Sequence, residues 1–295
     1  MNRAKGPSRL LSPLILAAGL GLAVPEDGAA EVALLVEAGL PGAGRVGAAQ
    51  GVRVYQFESA ERGNPITEGR LLAALQGIER VIVVGPEAAS WAARRLENPV
   101  IHFAGGAARL QSVDFQARNW TGSVGYGPGQ VLDYARSAGW RRVGVACTPA
   151  FAGLLPSLRA VARARGLTVT DKVIGGPPQV PGAVEELMGS SDAFWLLGGP
   201  LTAFGGGFDY IVEASLSRQV PVIAPEPGMV GRGAYLAIAP NWKAVLSEAV
   251  TVATASAAGE AAWPKSRMSF TEADGSLVLN EVLKKKWGFK RGGVR

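Results

Sequence analysis

Short apolar runs, rich in β-branched side chains, recur along this chain with amphipathic stretches between them. Val32–Glu37 (VALLVE), Val52–Phe57 (VRVYQF), Arg80–Gly85 (RVIVVG) and Val100–Phe103 (VIHF) come first. None alternates strictly between apolar and polar positions, so each predicts a strand covered on both faces. Between them, Ile66–Leu75 and Ala88–Leu96 carry apolar residues at helical spacing, with Trp91 and Ala92 facing inward. Strand and helix in alternation predict a parallel, doubly wound sheet.

After a break near residues 107–121 the pattern starts afresh. Helices are expected over Gly127–Ala138, Leu154–Arg165, Pro181–Met188, Gly207–Arg218 and Trp242–Ala257. Strands are expected over Arg142–Cys147, Leu167–Ile174, Ala193–Gly198, Val220–Ala224 and Ala234–Ile238. Met268–Phe270 and Leu277–Leu279 predict a small strand pair, followed by a terminal helix over Asn280–Trp287. The whole is an α/β chain with two Rossmann-like lobes, each a parallel sheet flanked by helices. One lobe is expected to hold residues 31–115 plus 243–266, the other residues 116–242 plus 267–295.

Composition narrows the class. The 295 residues are 48% hydrophobic and 18% charged, enough apolar material for two cores. The formal charge of +6 does not define a nucleic-acid face. Lys284, Lys285, Lys286, Lys290, Arg291 and Arg295 gather at the carboxyl end, and no basic stripe with interleaved aromatics runs elsewhere. Cys147 is the single cysteine, so an internal disulfide and a cysteine-based zinc site are both excluded, and its strand marks it as a core residue.

Residues 1–30 have the order of a secretory signal peptide. Arg3, Lys5 and Arg9 precede the apolar run Leu10–Val24, and Ala29 and Ala30 supply small residues for cleavage near Ala30. An uncleaved anchor is the alternative, for which the apolar run is short. The leader carries no cysteine to lipidate. The expected location is therefore periplasmic.

A series of segments carries a family resemblance. Asn119-Trp120-Thr121-Gly122 follows the fourth strand. Val220-Pro221-Val222-Ile223-Ala224-Pro225-Glu226 leads into Gly228-Met229-Val230-Gly231-Arg232-Gly233-Ala234, then a strand ending in Asn241-Trp242. Leu277-Val278-Leu279-Asn280 opens the terminal helix. In this order the segments resemble the substrate-binding proteins of ABC transporters, of the tryptophan/tyrosine type. The resemblance runs through residues 119–295 and fades over residues 31–100. It implies a type I periplasmic-binding fold, with three crossovers joining the lobes and a ligand held in the cleft between them.

In such sheets ligands sit beyond the carboxyl ends of the strands. The candidate ligand-binding residues are accordingly Gly105, Gly106, Trp120, Thr148, Gly199, Phe204, Glu226, Asn241 and Trp242. Trp120, Phe204 and Trp242 are expected as apolar walls, and Glu226 or Asn241 as an orienting hydrogen-bond group. Gly199 and Asn241 stand where the resembled family carries acids suited to an ammonium group. Burying a zwitterion without such partners is costly. The expected ligand is therefore neutral, hydrophobic or aromatic. A metal or other cofactor is not expected. The expected partners are the small-molecule ligand and a membrane permease, and the expected state is a monomer. The alternative is a binding fold whose pocket has lost its ligand groups and which serves as a partner or sensor in an envelope complex.

Enzyme chemistry finds little support in the residues. There is no G-x-S-x-G elbow, no H-E-x-x-H and no P-loop. His102, the only histidine, lies inside a strand, where a core role is expected. Gly125-Tyr126-Gly127-Pro128-Gly129 mimics a nucleotide loop without a strand before it or a ribose-binding acid after it.

Overall fold

The computed structural model describes residues 32–46, 51–58, 64–105, 110, 120–198, 207–259, 268–271 and 273–287. The expected signal peptide lies outside these residues. Two six-stranded sheets organise the chain. The first has the order β11-β5-β4-β3-β1-β2, built from β1 (Val32–Glu37), β2 (Val52–Phe57), β3 (Arg80–Val84), β4 (Val100–Ala104), β5 (Trp120–Ser123) and β11 (Met268–Ser269). All its pairings are parallel. The second has the order β12-β10-β9-β8-β6-β7, from β6 (Arg142–Cys147), β7 (Thr168–Val173), β8 (Ala193–Leu196), β9 (Val222–Ala224), β10 (Leu236–Ala239) and β12 (Ser276–Leu279). Only β12 is antiparallel there, against β10.

The period of two along each strand sorts side chains between two helix layers. In the first sheet Ala33, Leu35, Val81 and Val83 share a core with Ala88, Trp91 and Ala92 of α2 (Pro86–Arg95). Their neighbours Val32, Leu34, Val36, Ile82 and Val84 pack instead with Val245, Leu246, Ala249 and Ala253 of α7 (Trp242–Ala257). α1 (Pro65–Leu75) joins the α2 side through Leu75. In the second sheet Val143, Val145 and Trp195 face α3 (Gly129–Ser137) and α4 (Leu155–Ala164). Ala146, Phe194, Leu196 and Val222 face α5 (Val180–Ser190) and α6 (Gly207–Arg218). The edge strand β7, with Asp171 and Lys172, stays partly exposed, and such charges deter pairing with another chain.

The chain passes between the sheets three times: from β5 to α3, from β10 to α7 and from β11 to β12. These crossovers lie side by side. The Val124 N–H donates to the Ser269 carbonyl at 3.1 Å, and the Gly127 N–H to the Ala273 carbonyl at 2.9 Å. One apolar cluster continues through both lobes by way of Tyr126, Phe151 and Met268. After the last crossing, α8 (Glu281–Trp287) returns to the second sheet, where Trp287 stacks on Tyr235 with ring centroids 5.8 Å apart. Asn280 clamps that return: its amide donates to the Val230 and Ala234 carbonyls, and its side-chain oxygen accepts from the Leu283 N–H.

Three expectations change. Trp120–Ser123 is a strand, β5, that the apolar pattern did not announce. It hydrogen-bonds to β4 in the first sheet although residues 116–242 were assigned to the second lobe. Met268–Phe270 and Leu277–Leu279 do not pair with each other: β11 extends the first sheet beside β5, and β12 closes the second beside β10. The pairing partners of these short segments are distant in sequence, so local pattern carries no signal for them.

Candidate functional site

The carboxyl ends of both sheets converge on the crossovers. Gly125 follows β5 at φ +79°, and a β-carbon there would come within 2.8 Å of the Gly105 α-carbon and 3.1 Å of the Pro240 β-carbon. Gly105 ends β4 of the first sheet and Pro240 follows β10 of the second. Backbone contact this close is open only to glycine.

On the first-lobe side the governing group is Glu37, at the end of β1. Its carboxylate oxygen accepts from the Glu87 N–H at 2.8 Å and the Ala88 N–H at 3.3 Å, capping the amino end of α2. Gly85, at φ +108°, makes this fit, because a β-carbon there would sit 2.6 Å from that oxygen. A helix amino terminus beyond a strand end is a ready anion site, and here the protein's own carboxylate fills it. Sequence reasoning passed over Glu37, since only the folded register brings residue 37 to residues 87 and 88.

Gly105 and Trp242, both expected at a ligand cleft, pack against each other. A β-carbon at Gly105 would lie 2.8 Å from the Trp242 ring. Trp242 is half-buried at the first turn of α7. Asn241 is the cap of that helix, its side-chain oxygen accepting from the Ala244 N–H at 3.3 Å. Trp120 does not form a cleft wall: it is 3% exposed and packs edge-on to Phe103, with centroids 5.5 Å apart, inside the core. Period-two alternation puts it on the α2 side of β5.

On the second-lobe side, Thr148 follows β6 and Glu226 lies beyond β9. Thr148 is buried, and its hydroxyl has no hydrogen-bond partner among the described residues. Glu226 is half-buried at the mouth of a short 3-10 turn, Pro227–Met229. Tyr126, on the first crossover, is fully buried and its hydroxyl is likewise unpartnered among the described residues. Burial, and then the charge of Glu226, hold that phenol well above its ordinary range, so it stays protonated and able to donate. Between these groups the second sheet ends in Leu197-Gly198 beyond β8 and Ala224-Pro225 at β9, which are apolar or small. Gly106, Gly199 and Phe204 lie outside the described residues.

Burial governs both the histidine and the cysteine. Burial pulls the His102 imidazole down to about 4, so it is neutral at pH 7, and its Nδ1 lies 2.8 Å from the Thr121 hydroxyl. Burial, followed by the charge of Asp171, pushes the Cys147 thiol up to about 12, far from a reactive thiolate. Among the described residues no group of three or more His, Cys, Asp or Glu side chains could hold a metal ion.

The fold class is thus a two-lobed α/β protein with its strand ends gathered at a threefold crossover. No protein-family model and no curated protein matches the sequence. Among solved structures, the chain is similar to an ABC domain in complex with L-Trp from Streptococcus pneumoniae, at 15% identity over 88% of this chain and 96% of that one, with a TM-score of 0.49. It is similar to a ligand-free, open substrate-binding protein with adhesive properties from Clostridium difficile, at 16% identity over 89% and 96%, TM-score 0.47. It is also similar to an ABC transporter solute-binding protein with bound glycerol from Mycobacterium smegmatis, at 13% identity over 91% and 100%, TM-score 0.38. The two-lobed fold itself stands on the sheet order and the crossovers.

Proposed function

We propose that this chain is an exported binding protein that closes its two lobes on a small uncharged molecule and presents it to a membrane permease of an ABC system. The observation that carries this reading is the convergence of both sheets' carboxyl ends on one line of crossovers, where a bound molecule touches both lobes at once. Contacts to both lobes favour the closed state by the difference in affinity between the two states. The occupied amino end of α2 supports an uncharged ligand: a carboxylate there would have to displace Glu37. The basic-then-apolar leader at residues 1–30 supports export and a mature chain starting near Glu31.

Native mass spectrometry of the protein recovered from its own cell envelope tests the reading. The expected spectrum is that of a monomer beginning near Glu31 and carrying a neutral small molecule. A retained carboxylic acid, or a polypeptide mass alone together with no change in lobe separation on adding envelope extract, contradicts it.

A further inference from the structure

Two hydroxyls, on Tyr126 of the first crossover and Thr148 after β6, are buried with no hydrogen-bond partner among the described residues. Such groups are costly to leave unpaired, and a fold that keeps them has a reason to. Both belong to the region where the lobes join. The Tyr126 ring packs against Phe270 of the third crossover, centroids 6.3 Å apart, and its β-carbon lies over Gly275 beside β10. Thr148 begins the 3-10 turn Pro149–Leu154, whose Gly153 faces Met268 of β11.

The strand order sets their separation. Tyr126 stands over the β10 end and Thr148 at the β6 end, with β9 and β8 between them. Three strand spacings are roughly 14 Å. The intervening ends, Leu197-Gly198 and Ala224-Pro225, offer apolar surface and small residues.

Resting on the binding-protein reading above, we propose that Tyr126 and Thr148 are the two polar anchors of the ligand site, and that the ligand is an uncharged molecule with a hydroxyl or carboxamide at each end of an apolar body. Each anchor can donate and accept, so a group that does both satisfies it best. The Glu226 carboxylate on β9's carboxyl side accepts only, which favours a ligand group with a proton to give. A carboxylate at that end is repelled, and a purely apolar end leaves the hydroxyl unpaired.

The test is calorimetry on the mature protein and its Tyr126→Phe and Thr148→Val variants with a matched series: para-xylylene glycol, para-methylbenzyl alcohol and para-xylene. The glycol is expected to bind about tenfold more tightly than the mono-alcohol, and each variant to lose about tenfold for the glycol with para-xylene unchanged. Ligand-free thermal midpoints should hold or rise in both variants, because no protein hydrogen bond is removed. Equal binding of glycol and xylene, glycol binding untouched by both variants, no binding of the glycol, or a fall in the ligand-free midpoints would each overturn the proposal. A molecule retained from the cell envelope equally by wild type and both variants would sink these anchors while leaving the binding-protein reading intact.

Discussion

His102 shows how far burial alone can set a residue's behaviour. The folded imidazole titrates at about 4, against 6.5 for the free side chain. Above pH 6.5 it is neutral in both states and costs nothing. As pH falls from 6.5 toward 4, only the unfolded chain takes up the proton, so stability falls. Below 4 both states are protonated and the loss levels off, at about 3 kcal/mol. Urea unfolding between pH 7 and pH 4 should show this decline, and His102→Gln should flatten the histidine's share of it. An unchanged slope in the variant would mean that another group is responsible. Tyr126 is the complementary case, a group whose burial preserves its proton and leaves it competent to donate.

At the scale of elements, helix ends do much of the work. Asn241 was expected to orient a ligand, and the structure gives its side-chain oxygen to the first turn of α7. Asn241→Ala should therefore lower ligand-free stability by about 1 kcal/mol, and Asn241→Asp should restore it, since aspartate caps as well. Loss of ligand affinity with no loss of stability would favour the original expectation. The elements most legible in sequence were those with long local signals: β1, β2, α6 and α7 begin and end where the apolar pattern places them. β5 escaped because Trp120-Thr121-Gly122-Ser123 is short, with one large apolar residue, and is held as a strand by β4 and β11 on either side. The candidate site divided in the same way. Thr148 and Glu226 could be picked out as residues following strands, whereas the Glu37 cap and the packing of Tyr126 on the third crossover depend on groups distant along the chain.

At the scale of the molecule, the crossovers hold the two lobes together. Gly125→Ala would place a β-carbon 2.8 Å from the Gly105 backbone and impose φ +79° on a side-chain-bearing residue. The crossovers must spread, at a cost of roughly 1–3 kcal/mol. Small-angle scattering should report a larger radius of gyration than wild type. Gly228→Ala, with nothing within 4 Å of the new carbon, is the control and should leave it unchanged. An unaltered radius for Gly125→Ala would mean that the contact yields locally.

The interleaving of the two sheets also governs when the protein can fold. β11 supplies an edge of the first sheet and β12 an edge of the second, and both fall within residues 268–279 of a 295-residue chain. A ribosome adds about 5–20 residues each second. Neither lobe can seal its sheet until residues 268–279 have been made, and then both can do so nearly together. Until then two separate sheets both wait on one short stretch of chain, so their completion is tied to a single late event.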